Sequence, residues 1–395
     1  MPATQGNVLQ NSVMITLLIV LISQLTRAEE FQLPPYSDVV TMHVDMGGKT
    51  RLFLLDSGAS TVYVHKSLRS ELGKPVGDYR VNGVDAAEVS VPFFEAPKML
   101  IAGEVWTCPD EVGCVDHISL QSASGREIEG ALGIPFFLSR TIQFDFDGKV
   151  GRTFADTSPD ADWGTPVQVR FSSTGLPMVD LRLAGSQVES CIVDTGYTGS
   201  VALNWEVFHA LQSAGELAED EPQMFTSVTG IRTTRHGHVS AISLGDLEHK
   251  NLSVNASEGL SRIGLGFLRR YRATFQLSSG TLYLAKGLKF DEPERKSFGF
   301  GAIRKGVRTI IPGVQSESSA EKAGLQPGDE LLLVAGKPIG GKPTAEIGWL
   351  IRCHADANEH RVPLTIQRDG VQHELVLFLE KPIEVSSQQT VKTKR

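Results

Sequence analysis

Apolar and polar positions alternate with a period of two through much of this chain. Residues 40–44 (VTMHV) and 179–183 (VDLRL) read as half-buried strands on that pattern. Each passes through a turn, Gly47-Gly48 or Gly185-Ser186, into an apolar run that ends on a carboxylate. The two runs are Phe53-Leu54-Leu55-Asp56-Ser57-Gly58-Ala59-Ser60 and Cys191-Ile192-Val193-Asp194-Thr195-Gly196-Tyr197-Thr198. Short helices are predicted at 65–72 and 204–212, then hairpin turns at 81–84 (VNGV) and 228–231 (VTGI). The apolar-glycine segments 131–137 (ALGIPFF) and 262–268 (RIGLGFL) follow. A strand at 142–144 or 274–276 and a hairpin glycine, Gly148 or Gly280, complete each set. The same order kept twice predicts a duplicated β-rich unit.

After residue 287 the pattern changes. A charged connector at 291–296 leads to a capped short helix ending at Gly324 and a Pro327-Gly328 turn into a strand at 330–334. A turn at 335–339, a helix around 347–351 with Trp349 as a core residue, and a late hairpin at Arg368-Asp369-Gly370 follow. At the other end, residues 13–25 form an uncharged apolar run, short of the roughly 20 residues a membrane span needs. The run reads as a signal-peptide core with cleavage after Ala28, which predicts a periplasmic or secreted protein. No Lys or Arg precedes it, so an uncleaved membrane anchor is the alternative.

A net charge of −8 over 395 residues, without a long basic block, excludes nucleic acid as the main partner. In an exported chain Cys108 and Cys114 are close enough to predict a small disulfide loop, with Cys191 and Cys353 as core thiols. His236-Gly237-His238 shows no third ligand nearby in sequence and reads as a surface pair. No metal and no cofactor is expected.

A carboxylate at the end of a buried strand is costly unless it has a function. Two of them, each followed by a glycine turn, suit a pair meeting across a pseudo-twofold axis. Two carboxyls sharing one proton can deprotonate a water while protonating a carbonyl. Asp56 and Asp194 are the expected pair. Gly58 and Gly196 would admit the tight turns, Ser57 and Thr195 would bond across the axis, and Ser60 and Thr198 would each bond their own aspartate. Gly83 and Gly230 are the expected tips of hairpins closing over substrate.

These residues resemble the retropepsin- and pepsin-like aspartic proteases, whose units carry Asp-[Thr/Ser]-Gly and a later apolar-apolar-Gly, here Ala131-Leu132-Gly133 and Ile263-Gly264. Tyr197 and Arg262 depart from that pattern. Residues 297–382 resemble a PDZ domain of the kind attached to exported bacterial proteases, on the string Ser318 to Asp329. In that resemblance Phe298, Gly299, Phe300, Gly301, Ala302 and Ile303 are the loop and strand that take a peptide C-terminus. The implied fold is mainly β: two pseudo-twofold-related retropepsin-like lobes in a pepsin-like bilobal unit, plus an α+β PDZ domain. The implied boundaries are signal peptide 1–28, lobes 36–155 and 166–287, PDZ domain 297–382 and polar tail 383–395. The implied function is a monomeric aspartic endopeptidase acting on polypeptides, some delivered by the PDZ domain through their C-termini. The alternative is an inactive protease-like PDZ scaffold.

Overall fold

The computed structural model describes residues 29–36, 38–82, 88–101, 103–106, 109–154, 161–184, 187–227, 230–294 and 297–379. The expected signal peptide, the polar tail, Gly83 and Cys108 lie outside the described residues. Among the described residues the strands form four sheets and the fold is mainly β, with an α+β PDZ domain at the C-terminal end. No helix there is long and apolar enough to cross a membrane.

Both lobes are built around the same three strands. In the first, Ile128–Leu132 lies between Lys49–Leu55 and Tyr63–His65, parallel to the former and antiparallel to the latter. In the second, Arg262–Ile263 lies between Val188–Val193 and Val201–Asn204 with the same directions. The inserted strand satisfies the amide of each aspartate: Asp56 N–H donates to the Leu132 carbonyl at 3.0 Å, and Asp194 N–H to that of Ile263 at 2.9 Å. The glycine after it admits no side chain. A Cβ on Gly133 would lie 2.0 Å from the Thr61 carbonyl oxygen, and one on Gly264 would lie 2.4 Å from that of Tyr197. The apolar-apolar-Gly motif is therefore a steric demand of the aspartate turn packed against it.

A six-stranded sheet joins the lobes. Thr141–Asp145 and Tyr271–Gln276 pair antiparallel at its centre, with Gln143 opposite Thr274. Gln143 Nε2 donates to Thr274 Oγ1 at 2.9 Å across that seam. Phe137 and Phe144 both meet Phe275 edge-on at 5.5 Å between centroids, so one apolar core runs through both lobes. Glu29–Gln32, upstream of the expected start of the first lobe, adds an edge strand on Val150–Phe154.

The C-terminal PDZ domain has its own core, including Leu331, Ile347, Ile351 and Leu364. Its sheet runs Ile303–Lys305, Arg308–Ile310, Glu330–Val334, Arg361–Arg368, Val371–Phe378. The helix Thr344–Ala357 packs over it. Asp329 is fixed by both nitrogens of a bidentate Arg368 contact at 2.7 Å. This domain docks on the first lobe. The helix Ile118–Ser124, absent from the sequence expectations, lies along the edge strand Ile303–Lys305. Arg304 pairs with Glu127, and the Thr344 hydroxyl donates to the Ala123 carbonyl.

Candidate active site

The two acidic turns meet where the lobes face each other. Ser57 and Thr195 are fully buried and exchange bonds across the axis. Ser57 N–H donates to Thr195 Oγ1 at 2.9 Å and Thr195 N–H to Ser57 Oγ at 3.0 Å. Each hydroxyl then donates to the strand before the opposite aspartate: Ser57 Oγ to the Val193 carbonyl at 2.6 Å, Thr195 Oγ1 to that of Leu55 at 2.7 Å. Four bonds through two side chains fix one turn against the other. The expected cross-axis role of Ser57 and Thr195 is what the geometry contains.

Each carboxylate accepts from its own glycine, Gly58 N–H to Asp56 Oδ1 and Gly196 N–H to Asp194 Oδ1, both at 2.9 Å. Each glycine also faces the opposite acid. A Cβ on Gly58 would stand 2.5 Å from Asp194 Oδ1, and one on Gly196 would stand 2.7 Å from Asp56 Cγ. Both glycines are needed for the acids to approach. Asp56 is pushed up to about 7, first by burial and then by the neighbouring Asp194 charge and a hydrogen bond between the carboxyls. Near neutral pH Asp56 is therefore within reach of both its protonated and its ionised form, beside a second carboxyl. Such a pair can hold a water or a peptide carbonyl and polarise it.

The two acids are not equivalent. Arg262 Nη1 lies 3.4 Å from Asp194 Oδ2, with both side chains more than nine-tenths buried. The guanidinium also stands 6.0 Å over the Tyr197 ring. Tyr197 N–H gives Asp194 Oδ1 a second amide bond at 3.1 Å, and Asn255 Nδ2 donates to the Tyr197 hydroxyl at 2.9 Å. Burial pushes that phenol up to about 12. Arg262 and the extra N–H are contacts that Asp56 does not have, so the two acids stand in different surroundings. Both departures from the repeat, Tyr197 and Arg262, turn out to contact the second acid. The sequence signal was an Arg in an apolar slot.

Other expected residues are placed differently. Among the described residues neither Ser60 nor Thr198 bonds an aspartate. The outer oxygen of Asp194 faces Arg262 instead. Gly230 opens the strand Gly230–Leu244 opposite Ser227, so it lies at a hairpin end, whereas Gly83 is outside the described residues. Cys114 is a free, buried thiol on Glu111–Val115, whose burial raises its pKa. That corrects the expected disulfide with Cys108. The PDZ loop is already engaged: Phe298 and Gly299 carbonyls accept from Ala320 and Gln315 N–H at 3.1 and 2.7 Å, and Phe300 bridges Val314. Gly299 has φ +84°, and a Cβ there would be 2.0 Å from Ser318 Cβ. Downstream, Gly301 and Ala302 lead into the strand covered by Ile118–Ser124. His236 is buried rather than a surface residue, and Asp220 from the adjacent strand completes a three-residue group with His236 and His238 away from the carboxyl pair.

No family model matches the chain. A curated relative, a probable CtpA-like serine protease of Staphylococcus saprophyticus, is 36% identical over 85 residues, 21% of this chain. The chain spans about a sixth of that relative's length, 17%. The relative is a serine protease by name, and this overturns the aspartic-type endopeptidase expected from the paired turns, together with the aspartyl-protease and retropepsin-like reading of the function.

Proposed function

We propose that this chain is a PDZ-bearing protease of polypeptides in which an extended polypeptide lies in the cleft between the lobes, over Asp56 and Asp194. The observation that carries the reading is the carboxyl pair itself. Two adjoining carboxyls, held together by the Ser57–Thr195 exchange and one of them pushed up to about 7, can match the carbonyl and N–H groups of a peptide backbone. The protease class is supported by the named relative, which matches a stretch about as long as the PDZ domain. The apolar run at 13–25 and Ala28 support export.

In this reading the PDZ domain receives polypeptide C-termini at Phe298 to Ile303 by strand addition. Helix Ile118–Ser124 lies next to Ile303–Lys305, so an added strand would enter beside that helix. The test is incubation of the purified chain with a denatured polypeptide and detection of new N-termini by mass spectrometry. Cleavage by the parent, with at least tenfold weaker peptide binding in Asp56→Asn, is expected. A fluorophosphonate probe, with peptide mapping, reports whether a serine of this chain is the nucleophile, as in the named relative. No new termini from the parent at any pH between 4 and 8 would end the protease reading, and unchanged peptide affinity in Asp56→Asn would remove the polypeptide from the cleft.

A further inference from the structure

We propose that Asp220, His236 and His238 form a binding site for a zinc-class divalent cation in the second lobe. His236 and His238 sit two apart on the strand Gly230–Leu244, so both rings project from one face. Asp220 on Leu217–Ser227 is the direct cross-strand partner of His236, and the ladder shifts register between Asp220 and Gln223. Three ligand atoms thereby come within 4.8 Å of one another. His236 Nδ1 lies 3.4 Å from Asp220 Oδ2, and His238 Nδ1 lies 2.7 Å from the same oxygen.

Zinc bonds of about 2.0–2.1 Å in a tetrahedral array set ligand atoms roughly 3.4 Å apart. The His236–Asp220 spacing already has that value. The His238–Asp220 spacing is that of a hydrogen bond and must open by about 0.7 Å, which a swing of the exposed carboxylate supplies. A second observation points to a ligand. His236 is 92% buried at its side chain, yet its Nδ1, aimed at Asp220, makes no hydrogen bond. A buried ring nitrogen without a partner is costly, and a cation would satisfy it. Two imidazoles with one carboxylate select zinc-class ions over magnesium or calcium, which prefer oxygen. Asp220, with 44% of its side chain exposed, leaves a solvent-facing path for the ion and a fourth position for water.

One cross-strand pair links the site to the Asp194 turn. His236 is opposite Asn255 in the sheet, and Asn255 donates to the Tyr197 hydroxyl. Its ligands come from both strands of the hairpin that ends at Gly230, so a bound ion ties those strands together.

Calorimetric titration of the chelator-treated full chain with Zn2+ tests this, alongside Co2+ absorption as a report of coordination geometry. One equivalent of Zn2+ at micromolar concentration, visible Co2+ bands and a higher Tm with metal are expected, with no heat from Mg2+ or Ca2+. Asp220→Asn and His238→Ala, at the more exposed ligands, should fold as the parent does without metal and bind Zn2+ about 10- to 100-fold more weakly. His236→Ala should abolish uptake. Absence of Zn2+ uptake by the parent, or equal affinity in Asp220→Asn and His238→Ala, would overturn the proposal and leave a plain Asp–His hydrogen bond.

Discussion

Thr195 makes two uses of one small side chain: its hydroxyl accepts from Ser57 N–H and donates to the Leu55 carbonyl, while its backbone amide donates to Ser57 Oγ. Thr195→Ala strands a buried amide and a buried carbonyl, and unfolding should lose about 2–4 kcal/mol, whereas Thr195→Ser should lose about 1 kcal/mol or less. Urea denaturation of the three proteins measures both numbers. Asp56 carries a pH signature of the opposite kind. Its folded value of about 7 exceeds the ordinary 3.8, so between those values the folded chain holds a proton the unfolded chain has released. Its contribution to stability is full below about pH 4 and is lost as pH rises through 7. Asp56→Asn removes that penalty, and should gain about 1–3 kcal/mol on the parent at pH 7.5 relative to pH 4. Denaturation midpoints that move in parallel with pH would show that Asp56 titrates as an ordinary carboxyl.

Among elements, the inserted strands Ile128–Leu132 and Arg262–Ile263 show how close packing turns into a motif. Gly264→Ala would bring a Cβ against the Tyr197 and Gly199 carbonyls, at 2.4 and 2.5 Å, and forces the Asp194 turn apart. A loss of unfolding free energy from a clash of this kind, about 1–3 kcal/mol or more, is expected together with weaker peptide binding, read by urea denaturation and peptide titration. Helix Ile118–Ser124 is an element of a different sort, holding the PDZ edge strand through packing, the Arg304–Glu127 pair and the Thr344–Ala123 bond. Glu127→Arg sets like charges together and Thr344→Ala removes the hydroxyl. With both changes, amide exchange in residues 303–305 should speed about 3- to 10-fold, since an exposed pair and one hydrogen bond together contribute about 1 kcal/mol. Exchange at the parent rate would mean that apolar packing alone seats the helix.

For the whole molecule, three buried histidines stand against two raised carboxyls, Asp56 and Asp38. Burial is the leading cause that holds His117, His236 and His249 near 4, well under the ordinary 6.5. Between those values the unfolded chain binds protons that the folded chain refuses. Their contribution is therefore present above pH 6.5 and is lost as pH falls toward 4. Three such groups against Asp56 and Asp38 give a net stability that rises from pH 4 to pH 6.5, which thermal melts across that range would check. A flat or falling profile would mean that these rings take up protons in the folded state. Zinc at Asp220, His236 and His238 would deepen the acid loss, because protons compete for its ligands.

The repeat was legible because each of its parts is local: period-two strands, an Asp-[Ser/Thr]-Gly turn, an apolar-apolar-Gly. Those patterns determined the mainly β class, the two lobes, the PDZ domain and the pairing of Asp56 with Asp194, since periodicity and glycine sterics act over a few residues. Contacts between distant strands were another matter. Arg262 on Asp194 and the helix Ile118–Ser124 on the PDZ edge depend on packing between segments far apart in the chain, and Asp220 beside His236 depends on a register shift within one long hairpin, none of which a local pattern encodes. The same limit misplaced Ser60, Thr198 and the Cys108–Cys114 pair, where spacing suggested contacts that packing does not make. The catalytic type read from the acidic turns was corrected by comparison with a named serine protease. The sequence by itself determined which carboxyls meet; only the tertiary structure decided their inequality, because a buried guanidinium reaches one of them through the fold.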